Sequence, residues 1–112
     1  MERIGHLSVV VLTQAAGPVI RVAGEIDHYS VPHLEAALKQ PWASRDVGIV
    51  EVDLGQVTFC DSSGLNALLA ADSRAREHGS RLELTHVPPP VARLFAVSGA
   101  DRVLDIRPPR TG

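Results

Sequence analysis

The stretch Thr58–Leu65, with the sequence TFCDSSGL, decides how this chain folds, because one hydrophobic pattern ends there and another begins. Upstream, Val50–Leu54 alternates apolar and polar residues, which is typical of a strand with one buried face. Downstream, three leucines recur at helical spacing: Leu65, Leu68 and Leu69. The sequence therefore predicts a strand that leads directly into a helix, with Asp61, Ser62 and Ser63 as the candidate cap residues.

A hydroxyl at such a junction is suited to carrying a switchable charge. A helix N-terminus has unpaired N–H groups and about half a positive charge, so it holds a phosphate without a dedicated arginine. Phosphorylation of Ser62 would add about −1.5 to −2 charges and three acceptor oxygens to a small exposed surface. The same Asp-Ser-Ser pattern is also typical of an ordinary capped helix, so these residues leave both interpretations open.

A second motif, Gly24–Asp27 (GEID), lies upstream of the first. Together with Asp61–Leu65 (DSSGL) after a Val/Leu-rich strand, it resembles the STAS domain family, specifically the stand-alone anti-sigma factor antagonists of bacteria. The resemblance covers nearly the whole chain, roughly residues 7 to 106. In that family a partner anti-sigma factor, which is also a kinase, phosphorylates the serine directly after the aspartate. The resemblance therefore implies phosphorylation at Ser62.

The resemblance also implies a partner-binding surface around that serine. Its residues would be Glu25, Asp27, Asp61, Ser62, Ser63 and Gly64. For Glu25 and Asp27 the alternative is turn and cap chemistry, since aspartate commonly bonds its own nearby backbone. Gly24 is expected to serve backbone geometry. Ser63 also stays open as a phosphate acceptor, because cap geometry can serve either hydroxyl.

The mechanism implied by the resemblance is partner switching. The unphosphorylated domain would bind an anti-sigma factor serine kinase and thereby free a sigma factor, and phosphorylation would release the domain. A phosphatase would restore it. The domain would need no cofactor of its own, because ATP is the ligand of the partner. The alternative is a STAS scaffold or ligand-binding module that works without phosphorylation in a transporter-associated or sensory complex.

Composition narrows the remaining function classes. The chain has 112 residues, 45% of them hydrophobic and 21% charged, which is ordinary for one small globular domain. Its formal net charge of −2, without a basic cluster, argues against direct nucleic-acid binding. The sequence has neither an apolar run of the roughly 20 residues that span a bilayer nor the apolar core of a signal peptide, so we expect a cytoplasmic protein without a membrane partner.

The residues also argue against an enzyme. Ser62 lacks the flanking glycines of a hydrolase nucleophile elbow, although His28 could be drawn as its base. The five histidines show no convincing ligand spacing and no cysteine pair joins them, so the sequence predicts no metal site. Without a Gly-rich phosphate loop, the chain is expected to be the substrate of a kinase and not a kinase itself. The single cysteine, Cys60, is interpreted as a small buried hydrophobe.

The remaining pattern predicts an α/β fold: a STAS-like mixed sheet of about four to five strands with helices packed mainly on one face. The predicted strands are Leu7–Leu12, Val19–Gly24, Val47–Leu54, Arg81–His86 and a short Val103–Ile106. The predicted helices begin after Ser30 as a cap, at about Ser63, and at Pro88–Pro90, and the last two end at Gly79 and Gly99. Residues 1–112 would form one domain with its core at about 7–106 and a loose tail at 107–112.

Overall fold

A single sheet of six strands organises the computed structural model, which describes residues 2–4, 6–43 and 47–108. The strands are β1 (Glu2–Ile4), β2 (Leu7–Gln14), β3 (Gly17–Ile26), β4 (Ile49–Cys60), β5 (Arg81–Thr85) and β6 (Asp105–Ile106). Their spatial order is their chain order. The first two pairings are antiparallel and the last three are parallel. The predicted mixed sheet is confirmed, and β1 is a strand that the sequence analysis did not predict.

Three helices join the parallel strands: α1 (Val31–Lys39), α2 (Ser62–Glu77) and α3 (Pro89–Ser98). Short 3-10 turns follow α1 and α3, at Gln40–Ala43 and Ala100–Arg102. Successive crossovers step in the same direction across the sheet, so right-handed connections place all three helices on one face. Helix packing on one face, as predicted, is therefore confirmed.

The core lies between the helices and that face of the sheet. Its largest fully buried side chains include Leu7, Ile20, Ile26, Leu34, Leu54, Leu68, Leu82, Leu84 and Phe95. Strand β4 shows why the sequence folds this way. Val50, Val52 and Leu54 are buried, whereas Glu51 and Asp53 between them face the side of the sheet that no described helix covers.

At the strand-to-helix junction the predicted helix start agrees closely with the structure, but the predicted strand needs correction. Strand β4 was predicted at Val47–Leu54 and spans Ile49–Cys60, because the strand continues past the alternating segment up to Asp61. Helix α2 begins at Ser62, one residue before the predicted start, and Asp61 is its N-cap. Gly79, just after the helix, has φ 67°, the left-handed conformation expected of a C-terminal glycine.

Two local predictions need correction. Ser30 occupies the N-cap position of α1, but its hydroxyl does not cap the helix because it donates to the carbonyl oxygen of Glu25 at 2.9 Å. Arg107, predicted as the start of a loose tail, is held to the sheet: its N–H donates to the Leu84 carbonyl oxygen at 2.8 Å and its guanidinium pairs with Asp105. The rest of the predicted tail, from residue 109 to 112, lies outside the described residues.

Candidate functional site

The N-terminus of α2 is organised by the carboxylate of Asp61. Oδ1 of Asp61 accepts the N–H of Ser63 at 2.9 Å and the N–H of Gly64 at 3.4 Å. It also accepts the hydroxyl hydrogen of Ser63. Of the three predicted cap candidates, Asp61 is therefore the one that caps the helix. Ser63 donates hydrogen bonds to Asp61 from both its backbone and its side chain.

Ser62 is placed differently from its neighbour. It is the first helical residue and is exposed, whereas Ser63 is half-buried. Within the part of the chain that the structure describes, the Ser62 hydroxyl has no hydrogen-bond partner. The geometry thus separates two hydroxyls that cap chemistry alone left equivalent: that of Ser63 is engaged in the cap, and that of Ser62 is on an exposed residue.

Gly64 sits where no larger residue fits. A Cβ atom at this position would lie 2.6 Å from Cγ2 of Ile26 and 2.7 Å from Sγ of Cys60. Both distances are shorter than any normal carbon contact, so the glycine lets α2 approach the ends of β3 and β4 closely. Gly64 is buried, and its contribution to the site is to position the helix start.

The two sequence motifs meet at the ends of β3 and β4. Ile26 pairs with Cys60 in the parallel register, and the N–H of Asp61 donates to the Ile26 carbonyl oxygen at 3.2 Å. The turn that begins at Asp27 therefore lies beside the start of α2. Parallel pairing predicts that the two motifs lie close together, because the C-terminal ends of β3 and β4 meet at the same edge of the sheet.

Asp27 makes a tight local turn in the structure. Its Oδ1 accepts the N–H groups of Tyr29 at 3.0 Å and Ser30 at 2.9 Å. These hydrogen bonds, with the largest effect from Ser30, lower the pKa of Asp27 below its usual value of 3.8. The turn chemistry considered for Asp27 is thus present.

Gly24 has the backbone role expected of it. Its φ is 101°, and a Cβ atom there would overlap the carbonyl oxygen of His6. The next residue, Glu25, donates its N–H to that same carbonyl at 3.0 Å. Gly24 thereby brings the chain close enough to His6 for Glu25 to be anchored, while the Glu25 side chain stays half-buried at the edge of the site.

Cys60 was predicted as a small buried hydrophobe; it is half-buried and packs against the hydrophobic core. Burial and, as the smaller cause, the nearby charge of Asp61 together raise the pKa of its thiol to about 11. The thiol donates to the Asp61 carbonyl oxygen at 3.5 Å. A neutral thiol packed against the helix start has a structural role and is a poor nucleophile.

Two aromatic side chains near the site were not singled out from the sequence. Tyr29, in the turn after Asp27, is 86% exposed, and Phe59, which pairs with Glu25 in the strand register, is 49% exposed. Exposed aromatic residues are enriched at the energetic centres of protein interfaces. Alternation could not have indicated Phe59, because the burial of β4 departs from period 2 after Leu54, where its register with β3 shifts.

Another group of side chains, outside this site, also escaped sequence reasoning. Glu51, Asp53 and His86 each offer one ligand atom, and these atoms lie within 4.8 Å of one another on the open face of the sheet. The spacing of Glu51 and Asp53 along β4 could have suggested the pair of carboxylates. The neighbouring position of His86 depends on how β5 pairs with β4, and the sequence pattern did not reveal that register.

Comparison with known proteins identifies the family. A family model described as "Mlab, STAS domain" matches residues 10–107. The chain belongs to the STAS domain family. This STAS domain is 32% identical over 88 residues to the anti-sigma-B factor antagonist of Listeria monocytogenes serovar 1/2a, a match that covers 79% of this chain and 76% of that protein. It is 31% identical over 87 residues to the anti-sigma-B factor antagonist of Bacillus subtilis strain 168, covering 78% of each chain.

Solved structures share the fold of this STAS domain. An anti-sigma factor antagonist from Mycobacterium paratuberculosis superposes with a TM-score of 0.81 at 25% identity, covering 92% of this chain and 86% of that one. The anti-sigma factor antagonist SpoIIAA in its unphosphorylated form gives a TM-score of 0.77 at 22% identity, covering 92% and 89%. In the described part of this STAS domain, no helix combines the length and the apolar composition needed to cross a bilayer.

Proposed function

We propose that this STAS domain is an anti-sigma factor antagonist that works by partner switching, with Ser62 as the phosphorylated residue. Unphosphorylated, it binds an anti-sigma factor serine kinase and so frees a sigma factor; phosphorylated, it is released, and a phosphatase restores it. The domain acts in the cytoplasm as a binding protein and not as an enzyme. Partner switching needs no cofactor of the domain's own, and the domain contacts neither nucleic acid nor membrane.

The observation that carries this proposal is that Asp61, and not Ser62, caps the helix, while Ser62 is exposed beside it. Asp61 caps the helix, so the Ser62 hydroxyl is not needed to hold the fold together. Ser62 is exposed at the first helical position, where a kinase can reach it. Ser63 is half-buried and donates its hydroxyl hydrogen to Asp61, which makes it the poorer acceptor.

Electrostatics explains how a phosphate at this position could act on binding. The helix N-terminus tolerates the new charge, so the domain can stay folded when modified. The neighbouring carboxylates of Asp61 and Asp27 already make this surface acidic. A dianion added at Ser62, next to Asp61 in the chain, must either be paired by the partner or be buried without a counter-charge. A cost of about 3 kcal/mol for an ill-paired charge weakens binding more than about a hundredfold.

The relatives support the choice of partner. The similar proteins of Listeria monocytogenes and Bacillus subtilis are both named anti-sigma-B factor antagonists. For this chain we therefore propose an anti-sigma factor as the direct partner. Its binding surface would combine the start of α2, from Asp61 to Gly64, with the turn that carries Glu25 and Asp27.

The test is phosphorylation by each candidate anti-sigma factor kinase of the source organism, followed by intact-mass and fragment-mass analysis. Wild type, Ser62→Ala and Ser63→Ala are compared with Ser73→Ala, a matched control because Ser73 is another exposed serine on α2. One phosphate on Ser62, absent from Ser62→Ala and retained in both other variants, together with loss of kinase binding, would support the proposal.

Other outcomes of this experiment would test the phosphorylation site and the switching mechanism separately. Phosphate on Ser63 would keep the mechanism and correct the site. Phosphorylation without loss of binding would contradict partner switching. Stable binding to a transport or sensory complex, with neither phosphate nor affinity for any candidate kinase, would support the scaffold alternative.

The partner-binding role of Asp27 needs its own test, because the residue also holds a turn. Asp27→Asn keeps an oxygen that can accept the N–H groups of Tyr29 and Ser30. If Asp27 contacts the kinase, this variant should bind it more weakly while remaining folded. A folded variant with unchanged binding and phosphorylation would reject the interface role, and Glu25→Gln tests the second carboxylate in the same way.

A further inference from the structure

We propose that Glu51, Asp53 and His86 form a binding site for one divalent transition-metal ion on the open face of the sheet. One ligand atom from each residue lies within 4.8 Å of the other two. The site belongs to a different part of the fold from the Ser62 surface, and it does not depend on the proposed switch. The sequence predicts no metal site, because its histidines show no ligand spacing along the chain and these three residues meet only across the sheet.

The fold explains how these three side chains meet. Glu51 and Asp53 are two residues apart on β4, so they share a face. Asp53 pairs with Thr85 at the end of β5, and His86 follows immediately. Strand alternation would direct the next side chain to the opposite face, but His86 has φ 55°. This left-handed conformation is compatible with an imidazole ring on the same side as Asp53.

The distances suit a small divalent ion. Zinc binds imidazole nitrogen and carboxylate oxygen at about 2.0–2.2 Å, so neighbouring ligand atoms in a tetrahedral site are about 3.4 Å apart. Nδ1 of His86 lies 3.4 Å from Oδ1 of Asp53. Small side-chain rotations can bring Glu51 into the same shell. The three residues also line a cavity of about 200 Å³, which leaves space for water as a further ligand.

Neighbouring groups hold the carboxylates in place. The hydroxyl of Thr85 donates to Oε2 of Glu51 at 2.7 Å, and the N–H of Gly55 donates to Oδ1 of Asp53 at 2.9 Å. Partners of this kind orient metal ligands and commonly change metal affinity when they are removed. Thr85 is fully buried, so its hydroxyl is fixed by the packing of the strand around it.

The charge of the site also favours a cation. With His86 neutral, the two carboxylates carry two negative charges, and Arg21 offsets one of them. Nε of Arg21 lies 3.6 Å from Oδ2 of Asp53, so the arginine pairs with the oxygen that does not face His86. An imidazole with two carboxylates suits zinc, manganese, cobalt or nickel better than magnesium or calcium, which prefer oxygen ligands throughout.

The experiment is titration of the tag-free protein with Zn²⁺ and with Mn²⁺ at pH 7.5, by calorimetry and by competition with a chromogenic chelator. We expect one ion per chain for the wild type. His86→Ala and Asp53→Asn should weaken binding at least about tenfold, and Thr85→Val by about 10- to 100-fold. His28→Ala is the matched control, because His28 is exposed and lies outside the cluster, and it should bind as the wild type does.

Two results would overturn the proposal: no saturable binding of either ion by the wild type, or an unchanged Kd in His86→Ala. Circular dichroism verifies that the variants are folded. If a variant fails to fold, Mn²⁺ broadening of amide signals in the wild type provides the test. Selective broadening at Gly55 and His86 supports the site, and broadening confined to other regions contradicts it.

Discussion

Ser63 donates both its backbone N–H and its hydroxyl hydrogen to the same oxygen of Asp61, Oδ1. This double contact makes Asp61 the residue that fixes the start of α2, and it withdraws Ser63 from the exposed surface. Ser62, between the two, is left with an unengaged hydroxyl among the described residues. Asp61 therefore stabilises the junction, whereas the proposed phosphorylation is on Ser62. Variants of each residue can test the two roles separately.

Replacing Asp61 by Ala should destabilise the domain through loss of the N-cap. The N–H groups of Ser63 and Gly64 would lose their acceptor, and the expected decrease in the free energy of unfolding is about 0.5–2 kcal/mol. Urea denaturation measures it. Asp101→Ala, which changes an exposed aspartate in the 3-10 turn after α3, is the control for a simple change of charge. Equal stability of the two variants would contradict the capping role.

Replacing Gly64 by Ala should also destabilise the domain, although alanine is the better helix former. The helix propensity favours alanine by about 1 kcal/mol, but the new Cβ would lie 2.6 Å from Ile26 and 2.7 Å from Cys60. Overpacking of this kind costs typically about 1–3 kcal/mol, so we expect a net loss in urea denaturation. Gly48→Ala is the matched control, because nothing lies within 4 Å of a Cβ atom at that position. A stabilised Gly64→Ala would show that the helix start can move away from the strands.

Asp27 should make stability depend on pH in the acid range. Its folded-state pKa is lowered by hydrogen bonds from the Ser30 and Tyr29 turn, so the carboxylate contributes stability above its usual pKa of 3.8. That contribution is lost as the pH falls through the lower folded value. The difference in unfolding free energy between wild type and Asp27→Ala should therefore shrink as urea denaturation is moved from pH 6 to pH 3.

Glu35→Gln serves as the control for the acid titration, because Glu35 is an exposed carboxylate on α1. Its difference from wild type should change little over the same range. A difference for Asp27→Ala that stays constant with pH would show that the turn does not depend on the ionised carboxylate.

Sequence reasoning worked well where a pattern is local. Helical spacing after Leu65 placed the start of α2 within one residue, because that period is set by the backbone. The strand was recognised from its alternation, but its predicted end at Leu54 was six residues short of Cys60. The cap was also foreseeable as one of three adjacent residues. Choosing among them required the side-chain geometry, since Asp61 and Ser63 each have an oxygen that could accept an N–H group.

Sequence reasoning failed where a side chain's partner or burial is decided by the three-dimensional packing, whether the partner is near or far along the chain. Ser30 precedes a helix like any cap residue, but the nearby Glu25 carbonyl competes for its hydroxyl. Asp72 lies on α2 and is 3% exposed, which its polarity would not suggest; Arg76, one turn later, pairs with it at 2.9 Å and also donates to the Val103 carbonyl oxygen. The approach of His86 to Asp53 depends on the pairing of β4 and β5. Each of these features depends on which segments the fold brings together.

Cys60 should make the domain lose stability in alkaline solution. Burial raises the pKa of its thiol from 9.0 to about 11, so the folded state favours the neutral form. This contribution is fully present below pH 9 and is lost as the pH rises through the folded value, because the unfolded chain then ionises more readily. The stability of wild type relative to Cys60→Ala should accordingly decline between about pH 9 and pH 11 in urea denaturation.

Thiol labelling at pH 7.5 gives an independent measurement of the same burial. The native protein should react far more slowly than the protein in urea, since burial lowers both the access to the thiol and its thiolate content. Fast labelling of the folded protein, with a stability difference that does not vary with pH, would mean that Cys60 is solvated and does not pack against the start of α2.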